Sequence, residues 1–142
     1  MSRALPRTIP TFYEGYNFRT RLEARWAVFF DHLGVQWDYE SEGYELGNGL
    51  RYLPDFWLPN NNMWLDVKPG PADAMALEKA RRLVAKSASP LFLANGMPDN
   101  QGTYFSPRES SINFAILLPR FSLSDYQAAV LAARGARFGD CK

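Results

Sequence analysis

Arg51–Lys68 reads RYLPDFWLPNNNMWLDVK, two apolar runs joined by Asn60, Asn61 and Asn62. The second run, Met63 to Lys68, is apolar at consecutive positions, the pattern of a strand covered on both faces, until Asp66 and Lys68 interrupt it. Side chains at i and i+2 share one strand face about 6–7 Å apart, so these two charges project into one place. Asp55, eleven positions before Asp66, lies on the run that the asparagine turn folds back alongside. Charges inside an apolar strand are rarely buried unless paired or bound to a metal. The bland reading is an ion pair between Asp66 and Lys68 at a strand end, unconnected with Asp55; the sharper one is a site made of all three. Pro54 donates no ladder hydrogen bond, which predicts an edge, a bend or a bulge beside Asp55.

Upstream, Leu22, Trp26, Phe29, Phe30 and Leu33 recur at helical spacing and predict a helix from about Arg19 to Leu33, with Asn17 as its cap and Gly34 just past its end. At about 100° per residue, Glu23 falls roughly 75° from the centre of this stripe, a boundary position that either faces a cleft or pairs with Arg19 or Arg25. Gln36–Glu40 alternates and is aromatic, so with Arg51–Leu58 and Met63–Lys68 it predicts a three-stranded antiparallel meander. Pro69, Gly70 and Pro71 end the third strand. A helix over Ala72–Lys86, with Leu77, Ala80, Val84 and Ala88 inward, then leads to a short strand, Leu91–Ala94, and the crossover predicts parallel pairing with the third strand. Gly96–Ser111 reads as a long loop or small hairpin, and Ile112–Leu118 as a further strand. Ser124 with Gln127 resembles a capping box opening a last helix to about Arg137, packed through Tyr126, Ala129, Val130, Ala133 and Ala136.

The composition bounds the chemistry. At 142 residues, 46% of them hydrophobic, the chain predicts one domain, 1–142, with a single-core supply of apolar matter. A net charge of +1 gives no global basic field, so any attraction to nucleic acid must come from a local patch. Cys141 is the only cysteine and His32 the only histidine, which excludes an internal disulfide, a thiolate zinc site and a histidine-rich metal centre. His32, near the end of the first helix where a cation suits the dipole, reads as solvated or structural. Pro6 and Pro10 break the N-terminal region where a signal peptide needs an apolar run, and the longest such run, Phe114–Leu118, is far short of the roughly 18 residues of a spanning helix. The expectation is no membrane and a cytoplasmic location.

A helix carrying a glutamate, then Pro54-Asp55, then Asp66-Val67-Lys68 on the next strand resembles the PD-(D/E)xK nuclease superfamily, and RLEARWAVFF, YLPDFWLP and WLDVK resemble small restriction-endonuclease-like proteins of phages and bacteria. The resemblance covers about residues 19–93 and implies an α/β fold of the α+β mixed-sheet kind. Its restriction-endonuclease-like core has the order helix, three-strand meander, helix, strand, here followed by a C-terminal strand and helix. It implies a Mg²⁺-dependent endo- or exodeoxyribonuclease, with Mn²⁺ able to substitute, acting in the cytoplasm, or the host's if the chain is phage-encoded. In that reading Glu23, Asp55, Asp66 and Lys68 are catalytic. Asp55, Asp66 and the Val67 carbonyl would hold the metal, and Glu23 a metal-ligated water or second ion. Asp66 stands where the superfamily often has glutamate. Arg19, Arg21 and Arg25 around Glu23, with Arg81, are the expected phosphate contacts, while Lys79, Arg82 and Lys86 read as a solvated helix face. The partner would be nucleic acid, DNA first, and a homodimer or larger nucleoprotein complex is how so short a chain would span both strands of a duplex. The alternative is a catalytically inactive nuclease-like module that binds nucleic acid or a protein.

Overall fold

The asparagine turn forms as its composition predicts: the Asn61 N–H donates to the Leu58 carbonyl (3.1 Å) and Asn62 takes a left-handed φ of 50°, a conformation asparagine tolerates better than most residues. It joins two strands of a computed structural model that describes residues 9–98, 102–107 and 122–138 of the chain. In chain order the elements are β1 (Thr11–Tyr13), β2 (Tyr16–Phe18), α1 (Arg21–Leu33), β3 (Asp38–Tyr39), β4 (Tyr44–Glu45), β5 (Arg51–Tyr52), β6 (Phe56–Leu58), β7 (Met63–Lys68), α2 (Ala74–Ser87), β8 (Leu91–Asn95), β9 (Gly102–Phe105) and α3 (Leu123–Gly135). The fold is mixed α/β, with three described helices around a five-stranded sheet of order β3-β6-β7-β8-β9 and two small antiparallel ribbons, β1-β2 and β4-β5.

The meander is present as β3, β6 and β7, antiparallel with Tyr39 opposite Phe56 and Phe56 opposite Leu65. The crossover through α2 sets β8 parallel to β7, Asp66 opposite Leu93, as the sequence predicts. Arg51–Leu58, expected as one strand, is two. Pro54 has no N–H for a ladder, so β5 leaves the main sheet and pairs with β4, and β6 begins only after Asp55. Gly96–Ser111, expected as a loop or hairpin, contributes β9, antiparallel to β8. The strand expected at Ile112–Leu118 lies outside the described residues. The β1-β2 hairpin has no counterpart in the sequence reading. Its turn uses Glu14 (φ 51°) and Gly15 (φ 85°), the two left-handed residues of a tight hairpin, and glutamate there is a weak signal.

Helix ends also differ from expectation, for local reasons. The Thr20 side chain accepts the Glu23 N–H (3.0 Å), so α1 is capped at Thr20 rather than Asn17, and Arg19 lies before the helix. Asp73 caps α2 by accepting from the Ala76 N–H (2.8 Å). Ser122 with Asp125, rather than Ser124 with Gln127, opens α3. Gly34 ends α1 with φ 73°, as its position predicts.

The sheet carries a core on each face. Met63, Leu65 and Val67 of β7 point to α1 and α3, packing among Trp26, Phe29, Phe30, Ala129 and Ala133. Trp64, one residue out of phase, points to the other face with Tyr52, Leu83 and Val84 under α2. Asp66 and Lys68 follow Trp64 in phase. No described helix is long and apolar enough to cross a membrane.

Candidate functional site

The break at Pro54 leaves backbone donors that the ladder no longer serves, and two carboxylates serve them. Asp66 Oδ1 accepts from the Asp55 N–H (3.0 Å), and Asp55 Oδ2 accepts from the Val67 N–H (2.8 Å). Each aspartate thus closes the other's strand, one step beyond the last pair, Phe56 with Leu65. The Asp55 carbonyl, on its other side, accepts from the Glu40 N–H (2.8 Å), extending the β3 edge. Asp66 is 2% exposed and Asp55 8%, burial that only such fixed donors make tolerable.

Two tyrosines complete the frame. The Tyr52 hydroxyl, at the end of β5, donates to Asp66 Oδ2 (2.6 Å), and Lys68 Nζ lies 3.3 Å from the same oxygen. The Tyr39 hydroxyl donates to Glu23 Oε1 (2.6 Å), which also accepts from the Arg19 N–H (3.2 Å). Burial, and then the adjacent carboxylates, push both phenols well above the ordinary tyrosine range, so each remains a donor at any pH the protein meets.

The four expected catalytic residues do converge. Glu23, Asp55, Asp66 and Lys68, with Val67, line one cleft of about 710 Å³. The expected phosphate contacts separate. Arg19 and Arg21 line the cleft, Arg19 also pairing with Glu40 (2.8 Å). Arg25 does not: its guanidinium donates to the carbonyls of Ala133 (2.8 Å), Arg134 (2.8 Å) and Ala136 (3.2 Å) and lies over the Phe138 ring, closing the C-terminal end of α3. Arg81 is exposed on α2 and paired with Glu78. Conversely Lys79, expected on a solvated face, lines the cleft, and so does Arg51. Of its neighbours on that face, Arg82 pairs with Glu78 and Lys86 donates to the Glu45 carbonyl.

The donor set is hard oxygen throughout, three buried carboxylates of which Asp66 has Lys68 beside it, and oxygen donors of this kind suit a divalent cation such as Mg²⁺. Among the described residues no three His, Cys, Asp or Glu side chains sit close enough to hold an ion by themselves. Glu23 is held back by Tyr39 and the Arg19 N–H. The fit is therefore to an ion such as Mg²⁺, which retains several waters and takes only one or two carboxylates. Asp55 and Asp66 are the carboxylates that could hold it, with the Val67 carbonyl and Glu23 as the further groups that the sequence resemblance implies.

Burial first, then the charges of Asp66 and Glu23, raise the Asp55 carboxyl well above its ordinary value. A raised folded pKa means that Asp55 contributes stability below its unfolded value of 3.8, and that this contribution is lost as pH rises through the folded value. In EDTA, Asp55→Asn, which keeps an acceptor for the Val67 N–H but no charge, is expected to melt several degrees above wild type at about pH 7. That gap should close as the pH approaches about 4. Calorimetry of both proteins across this range checks it; a gap independent of pH would show that Asp55 does not titrate as its surroundings dictate.

Comparison with protein-family models, curated proteins and solved structures returns no match for this chain.

Proposed function

We propose that this chain is a metal-dependent nuclease of the PD-(D/E)xK type, hydrolysing phosphodiester bonds, with DNA as the first expected substrate. The reciprocal clamp of Asp55 and Asp66 at the wall of a cleft, with Lys68 beside it, is the observation that carries this reading. An ordinary surface ion pair between Asp66 and Lys68 would not need Asp55, a buried tyrosine donor, or the break in the ladder. The element order, α1, then the β3-β6-β7 meander, then α2 and β8, also supports the core that the sequence resemblance implies.

When bound, Mg²⁺ or Mn²⁺ would polarise the scissile phosphate and make a coordinated water more acidic. The chain's own residues do the rest. Tyr52 and the Asp55 N–H fix the orientation of the Asp66 carboxylate before substrate arrives, so little reorganisation is left for the reaction. Lys68, one-third exposed and tethered by Asp66, presents an ammonium at the cleft, placed to orient the attacking water and offset charge that develops on the phosphate. Glu23 adds negative charge at the far side.

Against a binding-only module whose carboxylates are blocked, the cation beside Asp66 is Lys68, and among the described residues no arginine pairs with Asp55 or Asp66. Labelled DNA and RNA oligonucleotides incubated with Mg²⁺, Mn²⁺ or EDTA test the proposal. Wild type is expected to cleave at least one of them, cleavage should cease in EDTA, and Lys68→Ala should be slower on the order of 10²-fold. Equal rates for wild type and Lys68→Ala would sink it.

A further inference from the structure

We propose that the cleft accepts an unstacked nucleotide, from a single strand or a frayed end, and not a continuous duplex. This deepens the nuclease reading and rests on it. The cleft's volume of about 710 Å³ falls within the roughly 300–1,000 Å³ of pockets that enclose small ligands. It is walled by the start of α1, the β5-to-β6 segment, the end of β7 and the first two turns of α2.

Between those walls the surface near the carboxylates is largely apolar: Leu22, Leu53 and Ala76, all half-buried, with Pro69. The outside of a duplex offers phosphates and sugars, which gain nothing from such a surface and lose hydration beside it. An unstacked base has an apolar face to bury there, and strands without base pairing are held in this way, by a surface for the base and cations for the backbone.

The cations are distributed to match. Arg21, Arg51 and Lys79 line the cleft, and among the described residues none of them makes an ion pair. Arg81 and Arg82, outside it, share the single carboxylate of Glu78, which offsets one of their two charges. With a net charge of only +1, the chain lacks the broad basic field that tracks a duplex. Three unpaired cations around one cleft suffice for the two or three phosphates that flank a single inserted nucleotide.

Fluorescence anisotropy in EDTA, with a 5′-labelled single strand and a blunt hairpin duplex of the same sequence, tests the inference. Wild type is expected to bind the single strand at least about tenfold more tightly. The double variant Leu22→Ala, Leu53→Ala should lower single-strand affinity about tenfold and leave duplex affinity unchanged. Arg51→Ala with Lys79→Ala should reduce the slope of log affinity against log salt by about two. Thermal melts confirm that both variants are folded; Lys79→Gln alone, expected to lower the slope by about one, serves if either is not. Equal affinity for duplex and single strand, or an equal loss on both from the wall substitutions, overturns the inference. Mg²⁺-dependent cleavage alongside that result would leave the nuclease reading standing. Wall-dependent single-strand binding with no cleavage would do the reverse, supporting the occupant of the cleft and removing the nuclease.

Discussion

Asp66→Asn is expected to slow Mg²⁺-dependent cleavage on the order of 10³-fold and to leave the protein folded, a loss of about 4 kcal/mol of transition-state stabilisation. The two outcomes separate because the two oxygens of Asp66 do different things. Oδ1 accepts the Asp55 N–H, and an asparagine carbonyl can do the same, so the closure of β7 onto Asp55 survives. Oδ2 faces the Tyr52 hydroxyl and the Lys68 ammonium, both donors. An amide nitrogen there can donate to the Tyr52 oxygen, but it offers Lys68 nothing to accept its protons. The substitution therefore withdraws an anionic ligand and releases the ammonium in one step. Stability should change little, since removing one of two adjacent buried carboxylates relieves repulsion with Asp55 and offsets the lost charge-assisted bond. Single-turnover cleavage at saturating Mg²⁺, beside a melting curve, checks both; activity within tenfold of wild type would mean that Asp66 is only the anchor of its strand.

The residues of this site were legible in the sequence because their chemistry contradicts their surroundings. Asp66 and Lys68 break an apolar run, and Pro54 sits where a strand cannot tolerate it, so the cost of each is visible without coordinates. The phosphate-contacting residues were less legible. Arg25 looks as available as Arg21, yet its partners are carbonyls 108 to 111 positions away, at the end of α3, and nothing local marks that. Lys79 reads as solvated because its angle on α2 points away from the helix's apolar stripe, but the cleft opens on that flank and not on the core. Tyr39 and Tyr52 are two of seven tyrosines, and nothing in the sequence singles them out. Their hydroxyls are the informative atoms, and a tyrosine hydroxyl is a signal only once its partner's position is known. Thr20 and Glu23 have capping-box spacing, and that signature places the start of α1 after Arg19 without any structure.

Trp26→Ala is expected to cost about 3–5 kcal/mol, the largest stability loss of any single truncation argued from this core. The side chain is fully buried in α1, its ring edge-on to Phe29 with centroids 5.4 Å apart and tilted against Phe30 at 5.8 Å, so its removal leaves a void lined by these two rings. Against a total of about 5–15 kcal/mol for a domain of this kind, such a loss leaves the variant near its unfolding threshold at physiological temperature. Volume is only part of the account. The indole N–H donates to the Gly96 carbonyl (2.8 Å), and the Gly96 N–H donates to the Lys68 carbonyl (2.8 Å). A continuous path thus runs from the middle of α1, through the turn after β8, to the backbone of the residue that presents the ammonium. Trp26→Phe separates the two contributions. It keeps most of the packing and leaves the Gly96 carbonyl without the indole donor, a cost of about 1–3 kcal/mol. If the path positions Lys68, Trp26→Phe should also slow cleavage at saturating Mg²⁺, with substrate affinity unchanged, by about tenfold, since small misplacements of catalytic groups are expensive. Denaturant melts of both variants, read beside single-turnover rates for Trp26→Phe, distinguish the outcomes: full activity in a destabilised Trp26→Phe protein would confine Trp26 to the core, and lost activity in a stable one would place it in the support of the site.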